Sequence, residues 1–134
     1  LLPEIRLGAV EINQEACKVL HSDFPEAQVH NRSILDFEIK EKWDLVLIKG
    51  VLIHVNPSLL EEVYNKLHKA TDKYILIAEY YNRTPTEVEY RGFSERLFKR
   101  DFCGEIMDKF SDLKLINYGF CYHRDNNFPQ DLLD

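Results

Sequence analysis

The sequence predicts an α/β fold with a mostly parallel central sheet, and three observations predict it. Residues 43–49 (WDLVLIK) and 74–80 (YILIAEY) are near-continuous apolar runs of strand length, as expected for parallel strands covered on both faces. Between them Leu59, Leu60, Val63, Tyr64 and Leu67 recur at helical spacing. Strand-like and helix-like stretches alternate along the rest of the chain, which is the pattern of βα units.

Taken in order, residues 7–12 (LGAVEI) read as a short buried strand. Asn13 is a good helix cap, because its side-chain oxygen can accept from first-turn amides. Residues 14–21 follow as a short helix with Ala16, Cys17 and Leu20 on one face. Residues 27–30 are a brief extended piece, and 43–49 form the central strand. Asn56-Pro57 supplies a cap and a proline at the first helical position, opening an amphipathic helix over about 57–70. Residues 81–96 are polar, with Thr84-Pro85 and Gly92, and read as a long loop. Phe98, Phe102, Ile106 and Phe110 recur every four residues and mark a core-facing helix, in which Gly104 costs about 1 kcal/mol relative to alanine. Residues 113–120 read as a last strand.

The 134 residues fit one domain, and 45% apolar with 12% aromatic content is enough for a real core. The net charge of −6 argues against nucleic acid or an anionic membrane as main partner, since both favour a basic face. A small anionic substrate is still open, because a local arginine pair suffices for it. Cys17, Cys103 and Cys121 have neither metal nor redox-motif spacing and read as buried thiols in a reducing, cytoplasmic setting. His21, His30 and His68 show no ligand spacing either, so no metal is expected. No run is long enough to span a bilayer.

Ligands of such sheets bind beyond the carboxyl ends of the strands. That directs attention to residues 11–13, 32–35, 49–54, 79–82 and 123–125. Glu11 ends a strand just before a helix cap, where a carboxylate can accept from both hydroxyls of a ribose; it can equally be a surface glutamate. Ser33 and Ile34 follow the next extended piece. There Ile34 could lie on a purine face and Ser33 bond its edge, or the two could simply close a turn. Gly50 allows close backbone approach after the central strand. His54 could orient a hydroxyl or take its proton, although a lone histidine among apolar residues is more often structural.

The order and spacing of Glu11, Ser33-Ile34, Trp43-Asp44 and the Gly50-Val51-Leu52-Ile53-His54 turn resemble class I S-adenosylmethionine-dependent methyltransferases. A narrower resemblance, to the pseudaminic-acid-biosynthesis-associated methylases, covers almost the whole chain. It rests on Ala9-Val10-Glu11-Ile12-Asn13, residues 44–54, Glu79-Tyr80-Tyr81-Asn82-Arg83-Thr84-Pro85, Leu97-Phe98-Lys99-Arg100-Asp101-Phe102, Tyr118-Gly119-Phe120, Tyr122-His123-Arg124-Asp125 and Phe128-Pro129-Gln130-Asp131.

The resemblance implies a Rossmann-like fold and S-adenosyl-L-methionine as cofactor, with Glu11 on the ribose and Ile12, Ser33 and Ile34 framing the adenine. Lys49 and Gly50 would lie beside the methionine part, although a lysine also repels a sulfonium. The acceptor would be small or sugar-derived, in keeping with the bacterial surface-polysaccharide gene clusters of that group. Tyr81, Asn82, Arg91 and Arg100 would contact it, and His54 and Tyr80 would stand nearest the chemistry. The arginines suit a carboxylate or phosphate, or else pair with surface acids. Tyr80 and Tyr81 alternate across a strand, so at most one is expected in the site and the other in the core. A homodimer is open.

The family's opening strand, glycine-rich turn and helix do not occur in the sequence, and its last antiparallel strand would begin at Asp134. The expectation is therefore an incomplete domain over 1–134 that carries the ribose, adenine and acceptor side. Two rival readings stand beside it: a NAD-dependent Rossmann-like enzyme, which also uses a carboxylate after its second strand, and a non-catalytic methyltransferase-like scaffold or partner subunit.

Overall fold

The computed structural model describes residues 5–122 and 124–127. The elements are β1 (Gly8–Glu11), α1 (Gln14–Asp23), β2 (Gln28–Asn31), β3 (Trp43–Lys49), α2 (Leu60–Ala70), β4 (Thr71–Ala78), β5 (Thr86–Tyr90), β6 (Phe93–Lys99) and α3 (Phe102–Lys109). They fall into two compact units, one through Phe102 and one from Cys103.

The first unit is built on two βαβ crossovers. In the first, β1 and β2 pair in parallel with Val10 opposite His30. The helix between them starts where the sequence places it, because the Asn13 side chain accepts from Glu15 N at 2.9 Å and Ala16 N at 3.2 Å. Cys17 is buried and donates its thiol hydrogen to the Glu11 carbonyl at 3.4 Å, which seats α1 on the end of β1. In the second, β3 and β4 pair in parallel, with Val46 opposite Ile75 and Ile48 opposite Ile77. The connecting chain makes 3-10 turns at Leu52–His54 and Pro57–Leu59 before α2. Leu60, Val63, Tyr64, Leu67 and Ala70 bury one face of that helix. Together with Ile48, Leu52, Ile53 and Leu97 they are the core of this unit.

Four expectations are corrected here. The strands form three two-stranded sheets among the described residues, β1–β2, β3–β4 and β5–β6, rather than one continuous mostly parallel sheet. The start of β3 meets the start of β1 through a side chain: the Trp43 ring lies over Gly8 so closely that a Cβ there would sit 2.8 Å from it. Neither β3 nor β4 is covered on both faces. Leu45, Leu47, Tyr74 and Leu76 share the face opposite α2 by their register, and each is about half exposed (49–59%). Residues 81–96 contain a β-hairpin instead of a loop, with Tyr90 paired to Phe93 and Thr86 to Lys99. Its two-residue turn places Arg91 at φ 53° and Gly92 at φ 81°, the φ signature of a type I′ turn. Asparagine or aspartate before glycine would have announced that turn; arginine does not. Finally, Phe98 belongs to β6, so the helix expected from it begins at Phe102.

In the second unit the remainder of α3 is followed by a turn closed by Leu113 N donating to Phe110 O at 3.0 Å. Residues 113–120 form no strand: Leu115, Ile116, Tyr118 and Phe120 are exposed, and no ladder satisfies their backbone. Cys121 is exposed rather than buried. His123 lies outside the described residues, as do the segments 1–4 and 128–134. Among the described residues no helix is long and apolar enough to cross a membrane.

An ion pair closes the start of the β3–β4 ladder, Lys73 to Asp44 at 2.5 Å. The hydrogen bond and charge of Lys73 hold the Asp44 carboxyl below its ordinary value, so the pair persists at neutral pH and is lost as pH falls through that lowered value. Leu52 is fully buried whereas Leu47 is 59% exposed. Leu52→Ala should therefore lower the unfolding free energy by about 2–5 kcal/mol in urea titrations, whereas Leu47→Ala should cost about 1 kcal/mol or less. Equal costs would contradict this placement of the core.

Candidate functional site

The turn after β3 is the most tightly specified loop of the first unit. Gly50 adopts φ 61°, a conformation that disfavours any side chain, and its amide donates to Ala78 O at 3.1 Å. A Cβ at Gly50 would meet nothing within 4 Å, so the turn needs glycine for its backbone angle and leaves open space beside it. The next three amides converge on one carboxylate. Glu79, at the end of β4, accepts from Val51 N at 2.8 Å, Leu52 N at 3.0 Å and Ile53 N at 3.4 Å. These are donors that the start of the 3-10 turn cannot satisfy internally.

That turn carries His54. Leu52 and Ile53 anchor it in the core, and the imidazole remains exposed. Its Nδ1 lies 2.8 Å from the Arg96 carbonyl oxygen. A carbonyl only accepts, so Nδ1 carries the hydrogen. In the neutral ring Nε2 is then the lone-pair nitrogen, the state a general base requires. Strand β6 packs against the turn, and the hairpin brings Tyr90 to 5.5 Å from the His54 ring. Between turn and hairpin is a hollow of about 340 Å³ lined by His54, Tyr90, Arg91, Phe93 and Arg96.

A second group forms at the ends of β1 and β2. The Asn31 side chain donates to the Glu11 and Ile12 carbonyls, both at 3.0 Å, and fixes the chain where it leaves β1. Glu11 Oε1 accepts from Asn13 N at 2.6 Å, which leaves Oε2 for a further donor. Ile12 is 72% exposed beside it. Ser33 Oγ accepts from Leu35 N at 3.2 Å, so its hydroxyl hydrogen can still donate outward. The loop carrying Ser33 and Ile34 is tied to α2 by Lys66, whose ammonium donates to the Leu35 carbonyl and, at 3.0 Å, to that of Phe37.

The other residues singled out in the sequence take separate places. Lys49 is exposed at the end of β3. Tyr80 is 38% and Tyr81 67% exposed, so neither is core, contrary to the alternation argument. The strand ends at Ala78, two residues before that alternation would apply. Lys99 Nζ lies 5.1 Å from the Tyr80 ring, and Tyr81 bridges to Arg100. Asn82 donates to Thr86 Oγ1 at 2.5 Å and holds the base of the hairpin. Arg91 and Arg100 sit at opposite ends of β6. Seven strand residues separate them by roughly 20 Å, too far for both to grip one anionic group. Arg96 shares the hollow with Arg91 instead.

Comparison with solved structures bears on the fold. The chain shares its α/β fold with DhpI. In a complex of DhpI with SAH, the match has a TM-score of 0.58 at 16% identity and covers 79% of this chain and 55% of that one. In a complex of DhpI with SAM and HEP, the TM-score is 0.57 at 14% identity, with 79% and 58% covered. The chain thus spans little more than half the length of DhpI. No protein-family profile and no curated protein sequence matches it.

Four residues escaped the sequence reading: Glu79, Lys66, Asn31 and Arg96. Each acts through a partner 19 to 42 positions away, and polar residues near strand ends are too common to single out. Glu79 alone left a trace, inside the 79–82 stretch that the sequence marks for attention at the end of a strand. Glu79→Ala should cost about 1–3 kcal/mol of stability. It should also speed hydrogen exchange selectively at the amides of 51–53; uniform exchange there would remove the role assigned to it.

Proposed function

We propose that the chain is part of a class I S-adenosylmethionine-dependent methyltransferase acting on a small acceptor, for which the sequence resemblance suggests a sugar-derived molecule. The observation that carries this reading is the fold shared with DhpI, a protein solved with both SAM and SAH, the two sides of a methyl transfer. The residues present suit a nucleoside. Glu11 has a carboxylate oxygen to spare for a ribose hydroxyl, Ile12 offers an uncovered apolar surface, and Ser33 keeps a donor hydrogen. The open space beside Gly50 suits close backbone approach by the methionine end, with Lys49 next to it.

The bound sulfonium would supply an activated methyl group and a neutral leaving group, so the protein's task is alignment. His54 Nε2 is set to accept a proton from an acceptor hydroxyl, with Tyr80 as a second candidate near the chemistry. The proposed acceptor contacts are Tyr81, Asn82 and Arg100 at the base of the hairpin and Arg91 at its tip; given the length of β6, one small acceptor meets one end or the other.

Titration of the protein at its full natural length with S-adenosylhomocysteine and, separately, with NAD tests the reading. Binding of the first but not the second is expected, and the reverse would replace it with a nicotinamide enzyme. Glu11→Ala should weaken S-adenosylhomocysteine by about ten- to a hundred-fold, the loss of charge-assisted bonds to a ribose. Unchanged affinity would remove Glu11 from the site.

A further inference from the structure

The hollow under the hairpin has a composition that methyl transfer alone does not require. Arg91 and Arg96 both line it, and among the described residues neither guanidinium is held in an ion pair. This occurs in a chain of net charge −6 with 23 acidic residues, where two unpaired arginines in one hollow oppose the surrounding field. Tyr90 and Phe93 give it an aromatic wall, and Phe93 is 64% exposed there.

Arg91 also bears a conformational cost. At φ 53° it occupies the left-handed region, which is less favourable for an arginine than for a glycine. Asparagine or glycine would make the same turn with less strain. Its guanidinium carbon lies 5.2 Å from the Tyr90 ring centroid, so one face of the group rests on the aromatic wall while its N–H edge stays available. Strain at a residue that lines a hollow, with its charge uncompensated, is what a ligand-binding role would maintain.

We propose that this hollow recognises an anionic group, a carboxylate or a phosphate ester, carried on an apolar or ring-shaped body. Arg91 and Arg96 hold the anion, Tyr90 and Phe93 pack on the body, and His54, whose Nδ1 hydrogen goes to the Arg96 carbonyl, keeps Nε2 as its lone-pair nitrogen. The inference deepens the methyl-transfer reading by naming the class of acceptor, and it is testable without the cofactor.

Phenyl phosphate, benzoate and phenol, titrated separately into the full chain by calorimetry, provide the test. At least one of the two anions should bind ten-fold or more tightly than phenol, and the stronger of them identifies which anion the site takes. Arg96→Gln should weaken that anion by about ten-fold or more while leaving S-adenosylhomocysteine affinity unchanged. Arg91→Asn should weaken the anion yet raise the melting temperature, a pairing that a purely structural arginine would not give. Equal affinity for phenol and both anions, or anion binding indifferent to both substitutions, would overturn the proposal. Anion binding that depends on these arginines in a protein that ignores S-adenosylhomocysteine would uphold it and remove the methyltransferase reading instead.

Discussion

One carboxylate organises the working end of the first unit. Glu79 leaves β4 and accepts from three successive amides of the turn that leaves β3. Two parallel strands are thereby joined beyond their last ladder bond, at the place where an α/β sheet presents its ligands. The turn could not otherwise hold its shape, because the amides at its start point away from any carbonyl of their own segment. Fixing them sets Leu52 and Ile53 into the core and leaves His54 outside it. The histidine's neighbourhood is therefore a consequence of an acid 25 residues further along.

Above this turn the hairpin makes a different compromise. Its ladder and its buried Leu97 fix β6 against the 3-10 turn, and the Arg96 carbonyl sets the tautomer of His54 from that position. Its tip, however, carries an arginine in a conformation better suited to asparagine or glycine. Backbone relaxation and a charge placed beside the hollow compete at this one residue. Such conflicts between local preference and tertiary arrangement gather at functional positions.

The sequence was most legible where structure is local. Asn13 caps α1 with its own side chain, Asn56-Pro57 opens the approach to α2, and the spacing of Val63, Tyr64 and Leu67 marks the buried face of that helix. The strand over 43–49 appears with those bounds. Legibility failed where two readings of a local pattern differ only in their partners. Phe98 fits a four-residue spacing with Phe102 and Ile106, yet β5 takes it into a ladder. Residues 113–120 have the composition of a strand and no ladder to join. Leu45 and Leu47 read as doubly covered because their strand is apolar throughout, but only the α2 side is closed.

The sequence by itself determined the two βαβ units of the first unit and the helix caps, because each is set by neighbours a few positions away. Only the tertiary structure decided which strand-end residues meet. Glu79 reaches the 51–53 amides, Lys66 reaches the 33–37 loop, and Arg96 rather than Arg100 shares a hollow with Arg91. These pairings arise from crossovers and a hairpin that bring distant segments together. A pattern of residue types carries periodicity along the chain, but not the identity of the partner across space.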